Sequence, residues 1–268
     1  MIKGLLAGAS LAALMTGCAS TGTFVPPTIQ AEQARTARMD TSPLPTYART
    51  DMENRYLLQS VFNRLRVAAQ PICRDAGVDC SRFAIAYDPR DVKNAVATDG
   101  YKVTIYAGLM KHMPEEQVAA VTAHELSHHI AKHNIKTREH AGFGALAGGL
   151  LAGIAAIAGN ASPQTAQIAI KAGQIAGMQT GVRMYSKDQE AEADYVAAYI
   201  LRNAGYDLGE AGKVWSTLAR ISGQTQPGTS SFISTHPSNA ERTAAWDATV
   251  REVHTSRTGL PKRHNGPN

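Results

Sequence analysis

The chain has 268 residues, of which 44% are hydrophobic, so it is long enough to bury a sizeable core. Its formal net charge is +5, but Lys and Arg are scattered and never form a run of five or more. This distribution is typical of an ordinary solvated surface and excludes a basic stripe for nucleic acid, although a mildly basic surface also suits an anionic membrane.

The first 17 residues have the layout of an export signal, with Lys3 as the positive residue and Gly4–Met15 as a short apolar stretch. The tetrapeptide Met15–Cys18 resembles the lipobox of bacterial lipoproteins, in which the cysteine is acylated and becomes the new N-terminus. The apolar stretch is too short to span a membrane. We expect a signal peptide over residues 1–17 and a lipid on Cys18; the alternative is an ordinary signal peptide with an incidental cysteine.

The segment after the signal changes composition. Residues 18–45 are rich in Thr, Pro, Ser and Ala, which predicts a lipidated tether ahead of a domain over residues 46–254. An amphipathic helix is predicted from Arg49 to Ala69. Its inward residues at helical spacing are Tyr56, Leu57, Val61, Leu65 and Ala68.

Two cysteines remain once Cys18 is assigned to lipid. An even pair in an exported protein predicts a disulfide between Cys73 and Cys80. A metal role is less favoured, because six intervening residues is not a spacing of cysteine ligands.

Three short apolar stretches predict a small antiparallel sheet. They are Phe83–Tyr87, Asn94–Ala97 and Val103–Tyr106, and the last two are expected to pair across Asp99–Gly100.

The next stretch contains the pattern H-E-x-x-H, formed by His124, Glu125 and His128. It lies in an apolar segment after Pro114 that no Gly or Pro interrupts, which predicts a buried helix. Residues four apart share a helix face, so both imidazoles can bind one Zn²⁺ while Glu125 reaches a water on the metal. Chance occurrence is the alternative. The neighbouring His129, His133 and His140 are expected to be solvated.

No charged residue occurs from Ala141 to Ile170, and hydropathy alone favours a membrane span over Gly142–Gly159. A single span, however, would leave the paired histidines and the acidic residues that follow on opposite sides of a bilayer. Several glycines also weaken such a helix. The turn Asn160–Pro163 instead predicts an Ala/Gly-rich helical hairpin over residues 141–182, lying over or beside a cleft or contacting a membrane.

A second helix is predicted from Ser186 to Gly205, because Ser186 and Gln189 form a capping box. Glu190 and Asp194 are four residues apart and share a face, whereas Glu192 is expected to point away into solvent. Asp194 is expected to hold a metal-binding histidine by hydrogen bonding, or to be an ordinary surface carboxylate at the helix start.

The two motifs together resemble the peptidase family that contains bacterial HtpX, mitochondrial Oma1 and the type-I CAAX prenyl protease, over about residues 50–250. The likeness is strongest to exported lipoprotein members of the Gram-negative periplasm. It implies a zincin-like α+β fold, mostly helical, with the small sheet beside the H-E-x-x-H helix and an inserted hairpin. It also implies that His124, His128 and Glu190 bind one Zn²⁺ and that Glu125 is the general base. One departure is Lys187, where many members carry Arg.

Downstream, a helix is predicted from Asp207 to Ile221, with Ala211, Val214, Trp215 and Leu218 inward. The segment Ser234–Arg242 then resembles the family's His-Pro segment. This implies that His236 reaches the metal, either stabilising an oxyanion or closing the site as a fourth ligand, and that Arg242 orients the same pocket; the alternative is a simple turn. Residues 255–268 are expected to form a disordered tail.

The function expected from these features is a zinc metalloendopeptidase that cleaves unfolded or misassembled envelope proteins. The strand at Asn94–Ala97 is expected to border the substrate cleft, or to be purely structural. Alternatives are a low-turnover zinc-containing chaperone or assembly factor and an amidase acting on cell-wall peptides. With Ala19 after Cys18, the lipobox resemblance implies the periplasmic face of the outer membrane, held by lipid, with no nucleic-acid partner.

Overall fold

The computed structural model describes residues 22–30, 32–33, 37, 40–98, 100–182, 185–223, 236 and 240–264. The predicted signal peptide and Cys18 lie outside them. The described part is mostly helical, with one small sheet, as the sequence predicted. Its helices are α1 Asp51–Ala76, α2 Ala107–Met110, α3 Glu115–Ile130, α4 His133–Ala158, α5 Pro163–Val182, α6 Lys187–Asn203, α7 Leu208–Gly212, α8 Val214–Gly223 and α9 Ala240–Thr255.

The sheet contains β1 Ala84–Asp88, β2 Ala95–Thr98 and β3 Lys102–Tyr106, in the order β1-β3-β2. The predicted hairpin is confirmed, since β2 pairs with β3 in antiparallel register with Ala97 opposite Val103. The expectation of a wholly antiparallel sheet is wrong, because β1 pairs with β3 in parallel. The chain crosses from β1 to the far side of β3 before it enters β2, so the first two strands never pair.

Helix α1 is longer than predicted, and it begins with a capping box formed by Thr50 and Glu53. Most of the predicted inward residues pack into the core or against it, but Tyr56 is 79% exposed, which corrects the prediction for that residue. The helix ends at Gly77, whose φ of 63° is the left-handed conformation that glycine adopts without strain. Cys73, in the last turn of the helix, and Cys80, beyond its end, form the predicted disulfide, with Cα atoms 6.0 Å apart.

Helix α3 is the centre of the molecule, and every residue from Gln117 to Ile130 is buried. Its sequence is apolar nearly all round, so neighbours cover it on every side. Helix α6 packs along it, α1 lies against another face, and β2 runs beside it. The polar residues of the H-E-x-x-H motif are therefore enclosed within the core rather than displayed on a surface.

Helices α4 and α5 form the predicted hairpin and pack along each other. Small residues allow the close approach, since a Cβ on Gly149 would lie 2.7 Å from the Gln174 side chain. No helix in the described ranges has the length and apolar character needed to cross a membrane. The hairpin nevertheless exposes several large aliphatic side chains, namely Leu146, Leu150, Leu151, Ile154, Ile168 and Ile175.

The two terminal segments pack on the domain, which corrects the expectations of a free tether and a disordered tail for their described residues. Phe24 is 1% exposed and forms an antiparallel bridge with Arg263. The backbone of Lys262 accepts a hydrogen bond from Val25 and donates one to the hydroxyl of Tyr195. A single buried aromatic residue and a two-residue bridge give too weak a periodic signal to be recognised in a Pro- and Thr-rich sequence.

Candidate metal centre

Helix α3 carries His124, Glu125 and His128 in the core, and all three side chains are buried. Because the two histidines are one turn apart, their rings meet edge to face with centroids 4.6 Å apart. Their Nε2 atoms are 3.0 Å apart. The H-E-x-x-H spacing therefore brings two ring nitrogens to a common point.

Helix α6 brings Glu190 to the same point. The predicted capping box is present, with the Ser186 hydroxyl accepting from the backbone N–H of Gln189, and it fixes the start of the helix. The Glu190 oxygens lie 3.5 Å from Nε2 of His124 and 3.4 Å from Nε2 of His128. The carboxylate expected from the family resemblance is thus close to the paired imidazoles.

Asp194, one turn further along α6, holds His124 from behind. Its Oδ1 is 2.8 Å from Nδ1 of His124, and its two oxygens accept hydrogen bonds from Nε and Nη2 of Arg242 at 2.8 and 2.7 Å. The same guanidinium lies 3.0 Å from Glu190 and stacks over Trp215. Arg242 therefore neutralises two buried carboxylates at once. It lies in the pocket of His236, where the family resemblance placed it.

His128 is held by different residues. Its Nδ1 is 2.8 Å from Nδ1 of His133, and Nε2 of His133 is 3.0 Å from Oε2 of Glu192. The expectation that Glu192 and His133 are solvated is wrong, since both are buried, and His129 is buried as well. The side chain of His140 lies outside the described part of the chain. Helical periodicity predicted that Glu192 lies on the outer face of α6. The segment around Phe24, which is distant in the sequence, covers that face in the folded chain.

His236 lies in the same cluster. Its Nδ1 is 2.8 Å from Oε1 of Glu190 and 3.1 Å from Nε2 of His124, and its Nε2 is 3.5 Å from Glu125. Its flanking residues 231–235 and 237–239 lie outside the described residues, so the predicted turn around it is not described. The position of His236 matches the expectation that it reaches the predicted metal ligands.

The donor set fits a bound cation. When His124 donates its Nδ1 proton to Asp194 and His128 donates its own to His133, the Nε2 atoms of both rings, 3.0 Å apart, are left as lone-pair donors. Lone pairs and a carboxylate at this separation repel unless a positive charge lies between them. One ligand atom each from His124, His128, Glu190 and His236 lies within 4.8 Å of the others, and all four residues are buried.

Burial and neighbouring charges shift the acid–base behaviour of the cluster. Burial raises the pKa of Glu125 above its ordinary value, although His236 and His124 lower it in part. Burial also opposes the charge on Glu190, but His236, Arg242 and His124 outweigh it and hold the pKa of Glu190 well below the ordinary value. Glu190 is therefore a charged donor, while Glu125 has the higher proton affinity that suits a general base.

Two aromatic residues that the sequence did not assign to the site complete its walls. Tyr185 stacks on the ring of His128 with centroids 3.8 Å apart. Trp215 lies edge-on to His124 at 6.0 Å. Tyr185 precedes the Ser186 cap, and Trp215 was predicted to be an inward core residue. Only the folded structure shows that both residues border the histidines.

The sheet borders the centre on the side of Glu125. Strand β2 runs beside α3, and the backbone of Ala97 is close enough to the Glu125 carboxylate to lower its pKa in part. In the sheet described, β2 is an edge strand, since it pairs with β3 alone. Strand β2 therefore lies beside Glu125, and whether it borders a substrate cleft stays a prediction.

The chain is similar in sequence to known proteins. The chain is similar to the mitochondrial metalloendopeptidase OMA1 of Saccharomyces cerevisiae, at 27% identity over 197 residues, which are 69% of this chain and 52% of that protein. It is also 32% identical over 159 residues to the putative beta-barrel assembly-enhancing protease of Vibrio cholerae, covering 56% of this chain and 31% of that protein. The beta-barrel assembly-enhancing protease of Escherichia coli K12 is 32% identical over 125 residues, or 44% of this chain and 24% of that protein.

This chain thus spans about half, or less, of the length of these relatives. The model of peptidase family M48 matches residues 59–250, which is more than half of the chain and includes the H-E-x-x-H motif, Glu190, Asp194, His236 and Arg242. Together with the geometry of the metal centre, this match shows that the chain belongs to peptidase family M48.

Proposed function

We propose that the chain is a zinc-dependent endopeptidase of the bacterial cell envelope that cleaves unfolded or misassembled proteins. The observation that carries the proposal is the convergence of His124, His128 and Glu190 on one point, with the Glu125 carboxylate enclosed beside it. Two histidines and a carboxylate with a free position for water are typical of catalytic zinc, whereas structural zinc sites are usually closed by cysteines.

Bound at these donors, zinc supplies the Lewis acidity that polarises a peptide carbonyl and activates water. Glu125 takes the proton of the attacking water and delivers it to the leaving amine, a role that its raised pKa favours. Asp194 and Arg242 keep His124 oriented and balance the charge of Glu190. In this mechanism each chemical role is carried by a buried residue of the cluster.

Strand β2 supports the choice of unfolded substrates. An extended peptide can pair with the backbone of a sheet edge, and β2 is such an edge next to Glu125. A folded protein does not offer a free extended segment, so this mode of binding selects unfolded or misassembled chains. The names of the relatives from Vibrio cholerae and Escherichia coli, which refer to beta-barrel assembly, support an envelope substrate.

The proposed location rests on three features. The sequence Met15–Cys18 resembles a lipobox, the Cys73–Cys80 disulfide is typical of an oxidising compartment, and two relatives are named for beta-barrel assembly. We infer a lipid on Cys18 that holds the domain at the periplasmic face of the outer membrane.

A second candidate function is favoured by the position of His236. Its ring lies among the proposed ligands, and the whole cluster is buried, so this arrangement leaves little room for a peptide carbonyl. A permanently closed centre would suit a low-turnover chaperone or assembly factor in which the metal serves folding. We favour a peptidase in which His236 withdraws when substrate binds.

Casein cleavage by the zinc-loaded protein separates the two functions. A peptidase is expected to degrade casein and to stop when a chelator removes the metal. The near-isosteric variant Glu125→Gln is expected to retain zinc but to lose cleavage by at least about 10³-fold, because it lacks the general base. Undiminished cleavage by that variant would refute the mechanism, and wild-type protein that binds zinc but never cleaves would favour the chaperone.

A further inference from the structure

A line of buried hydrogen bonds runs from His128 to the N-terminal segment. It passes from Nδ1 of His128 to His133 at 2.8 Å, and from His133 to Oε2 of Glu192 at 3.0 Å. The other oxygen of Glu192 accepts the backbone N–H groups of Thr23 and Phe24, at 2.6 and 2.7 Å. Because these side chains are buried, water cannot readily replace a partner that is lost.

The direction of each hydrogen bond follows from the ligand role of His128. Its Nε2 needs a lone pair for the metal, so its proton is on Nδ1 and is donated to Nδ1 of His133. His133 then carries its own proton on Nε2, where it faces the Glu192 carboxylate. Glu192 accepts every hydrogen bond it makes here, which suits a charged carboxylate. Each donor in the line therefore meets an acceptor.

We propose that His133, Glu192 and the segment Gly22–Val25 are positioning elements of the metal centre, holding His128 in the tautomer that binds the cation. The inference rests on the proposed metal centre. His124 has its carboxylate partner, Asp194, in direct contact, whereas His128 reaches its carboxylate through a second histidine. The N-terminal segment, which begins four residues after Cys18, thereby becomes part of the machinery that shapes the centre.

The N-terminal segment is itself firmly fixed. The Phe24 ring is buried, Val25 donates its backbone N–H to Lys262, and His264 donates to Thr23. The hydroxyl of Thr23 also accepts a hydrogen bond from Lys136 at 3.3 Å. The two N–H groups that donate to Glu192 are thus held in place by contacts with the C-terminal segment, residues 262–264, and with α4.

The variant Glu192→Gln tests the proposal with almost no change in volume. The amide oxygen of Gln can still accept from Thr23 and Phe24, but its NH₂ group would face Nε2 of His133. That ring would have to accept at Nε2 and carry its proton on Nδ1, directly against the proton on His128. We expect the zinc dissociation constant, measured by competition with a chromophoric chelator, to rise about 10- to 100-fold.

Glu53→Gln is the control. Glu53 near the start of α1 accepts hydrogen bonds from the backbone N–H and the hydroxyl of Thr50, at 2.7 and 2.8 Å. Neither residue belongs to the hydrogen-bond line or to the terminal segments that hold it. We expect this variant to lower the melting temperature of the metal-free protein slightly, because a negative charge is lost at the start of α1, while leaving the zinc dissociation constant unchanged.

Gly22→Ala provides a second test that leaves every side chain of the hydrogen-bond line intact. A Cβ on Gly22 would lie 2.8 Å from Oε2 of Glu192, so it must displace the oxygen that faces His133. We expect a smaller rise in the zinc dissociation constant, of about three- to tenfold. Gly223→Ala is its control, because a Cβ there meets no described residue within 4 Å and the constant should not change.

The results separate this inference from the proposed function. His124→Ala should abolish tight zinc binding, and if it does not, the metal centre itself is wrong. If His124→Ala fails to bind zinc while Glu192→Gln and Gly22→Ala bind it as tightly as the wild type, the positioning role is refuted and the metal centre stands. An equal loss of affinity in Glu53→Gln would also overturn the proposal, since the effect would then reflect general destabilisation.

Discussion

At the scale of single residues, the metal centre depends on how buried polar groups satisfy one another. Arg242 shows this most clearly, because its guanidinium binds both oxygens of Asp194 and lies 3.0 Å from Glu190. An unpaired carboxylate in this position would carry a large desolvation cost. The pairing with Arg242 explains how α6 can hold Glu190 and Asp194 in an otherwise apolar core.

Substitution of His236 distinguishes its two expected roles. As a closing group it competes with water and substrate, so His236→Ala should raise the rate of casein cleavage about tenfold, equivalent to about 1.4 kcal/mol. As an oxyanion-stabilising group its loss should instead lower kcat by about 10²- to 10³-fold. Its position beside Glu190 and His124 favours the first result, which a steady-state rate measurement on unfolded substrate can check.

The controls for His236→Ala are the zinc content and the melting temperature of the variant. The three remaining ligands should retain zinc, and a buried ring replaced by Ala should cost stability without unfolding the domain. A variant that keeps its zinc but cleaves more slowly than the wild type contradicts the closing role.

At the scale of elements, much of the fold was predictable because single helices carry their own signals. The capping box at Ser186, the H-E-x-x-H helix and the turn at Asn160–Pro163 are local patterns, and each is present. The parallel pairing of β1 with β3 was not predictable, since it depends on which strand the chain returns to. The burial of Glu192 was also not predicted, because the segment that covers it, around Phe24, is 168 residues away in the sequence.

Packing of α7 against α9 makes Gly212 sensitive to substitution. A Cβ at this position would overlap the indole of Trp246, which packs near Trp215 and donates a hydrogen bond to Leu208. Gly212→Ala should therefore lower the free energy of unfolding by about 1–3 kcal/mol, although alanine usually favours a helix over glycine. Denaturant titration followed by tryptophan fluorescence reports on this contact directly, because the chain has two tryptophans and both lie here.

Gly223→Ala is again the control, since its Cβ at the end of α8 would contact none of the residues that the structure describes. It should leave the free energy of unfolding unchanged or slightly increased. Equal stability of Gly212→Ala and the wild type would mean that α7 and α9 are not packed as described.

Glu252 makes the attachment of the C-terminal segment dependent on pH. Burial raises its pKa, but hydrogen bonds from Tyr195, Tyr199 and Lys262 outweigh this and hold the pKa below its ordinary value of 4.5. A carboxyl whose pKa is lowered on folding stabilises the native state above its ordinary pKa and loses that contribution as pH falls through the folded pKa.

The expected result is a difference in melting temperature between wild type and Glu252→Gln that is constant above pH 5 and shrinks below about pH 4.5. Scanning calorimetry from about pH 7 to pH 3 measures this difference. The near-isosteric amide controls for packing, because it keeps volume and changes charge and hydrogen bonding. A difference that grows as the pH falls would show that the sign assigned to Glu252 is wrong.

At the scale of the whole molecule, distant segments converge on one centre. Helices α3 and α6 supply the proposed ligands, α9 supplies Arg242, and the N-terminal segment fixes Glu192. The sequence pointed to the proposed ligands because H-E-x-x-H and Glu190–x–x–x–Asp194 are compact motifs, and the family resemblance implied that Glu190 joins the two histidines. It could not predict the joining of the terminal segments or the stacking of Tyr185 on His128, since these contacts form only when the whole chain is folded.

The central claim is that His124, His128 and Glu190 bind a single metal ion. Anomalous X-ray diffraction at the zinc edge, from crystals of the zinc-loaded protein, tests it most directly. The account predicts one strong peak at about 2.0–2.2 Å from Nε2 of both histidines and from a carboxylate oxygen of Glu190. A zinc-loaded crystal with no peak between these three side chains, or with its zinc bound elsewhere, would contradict it.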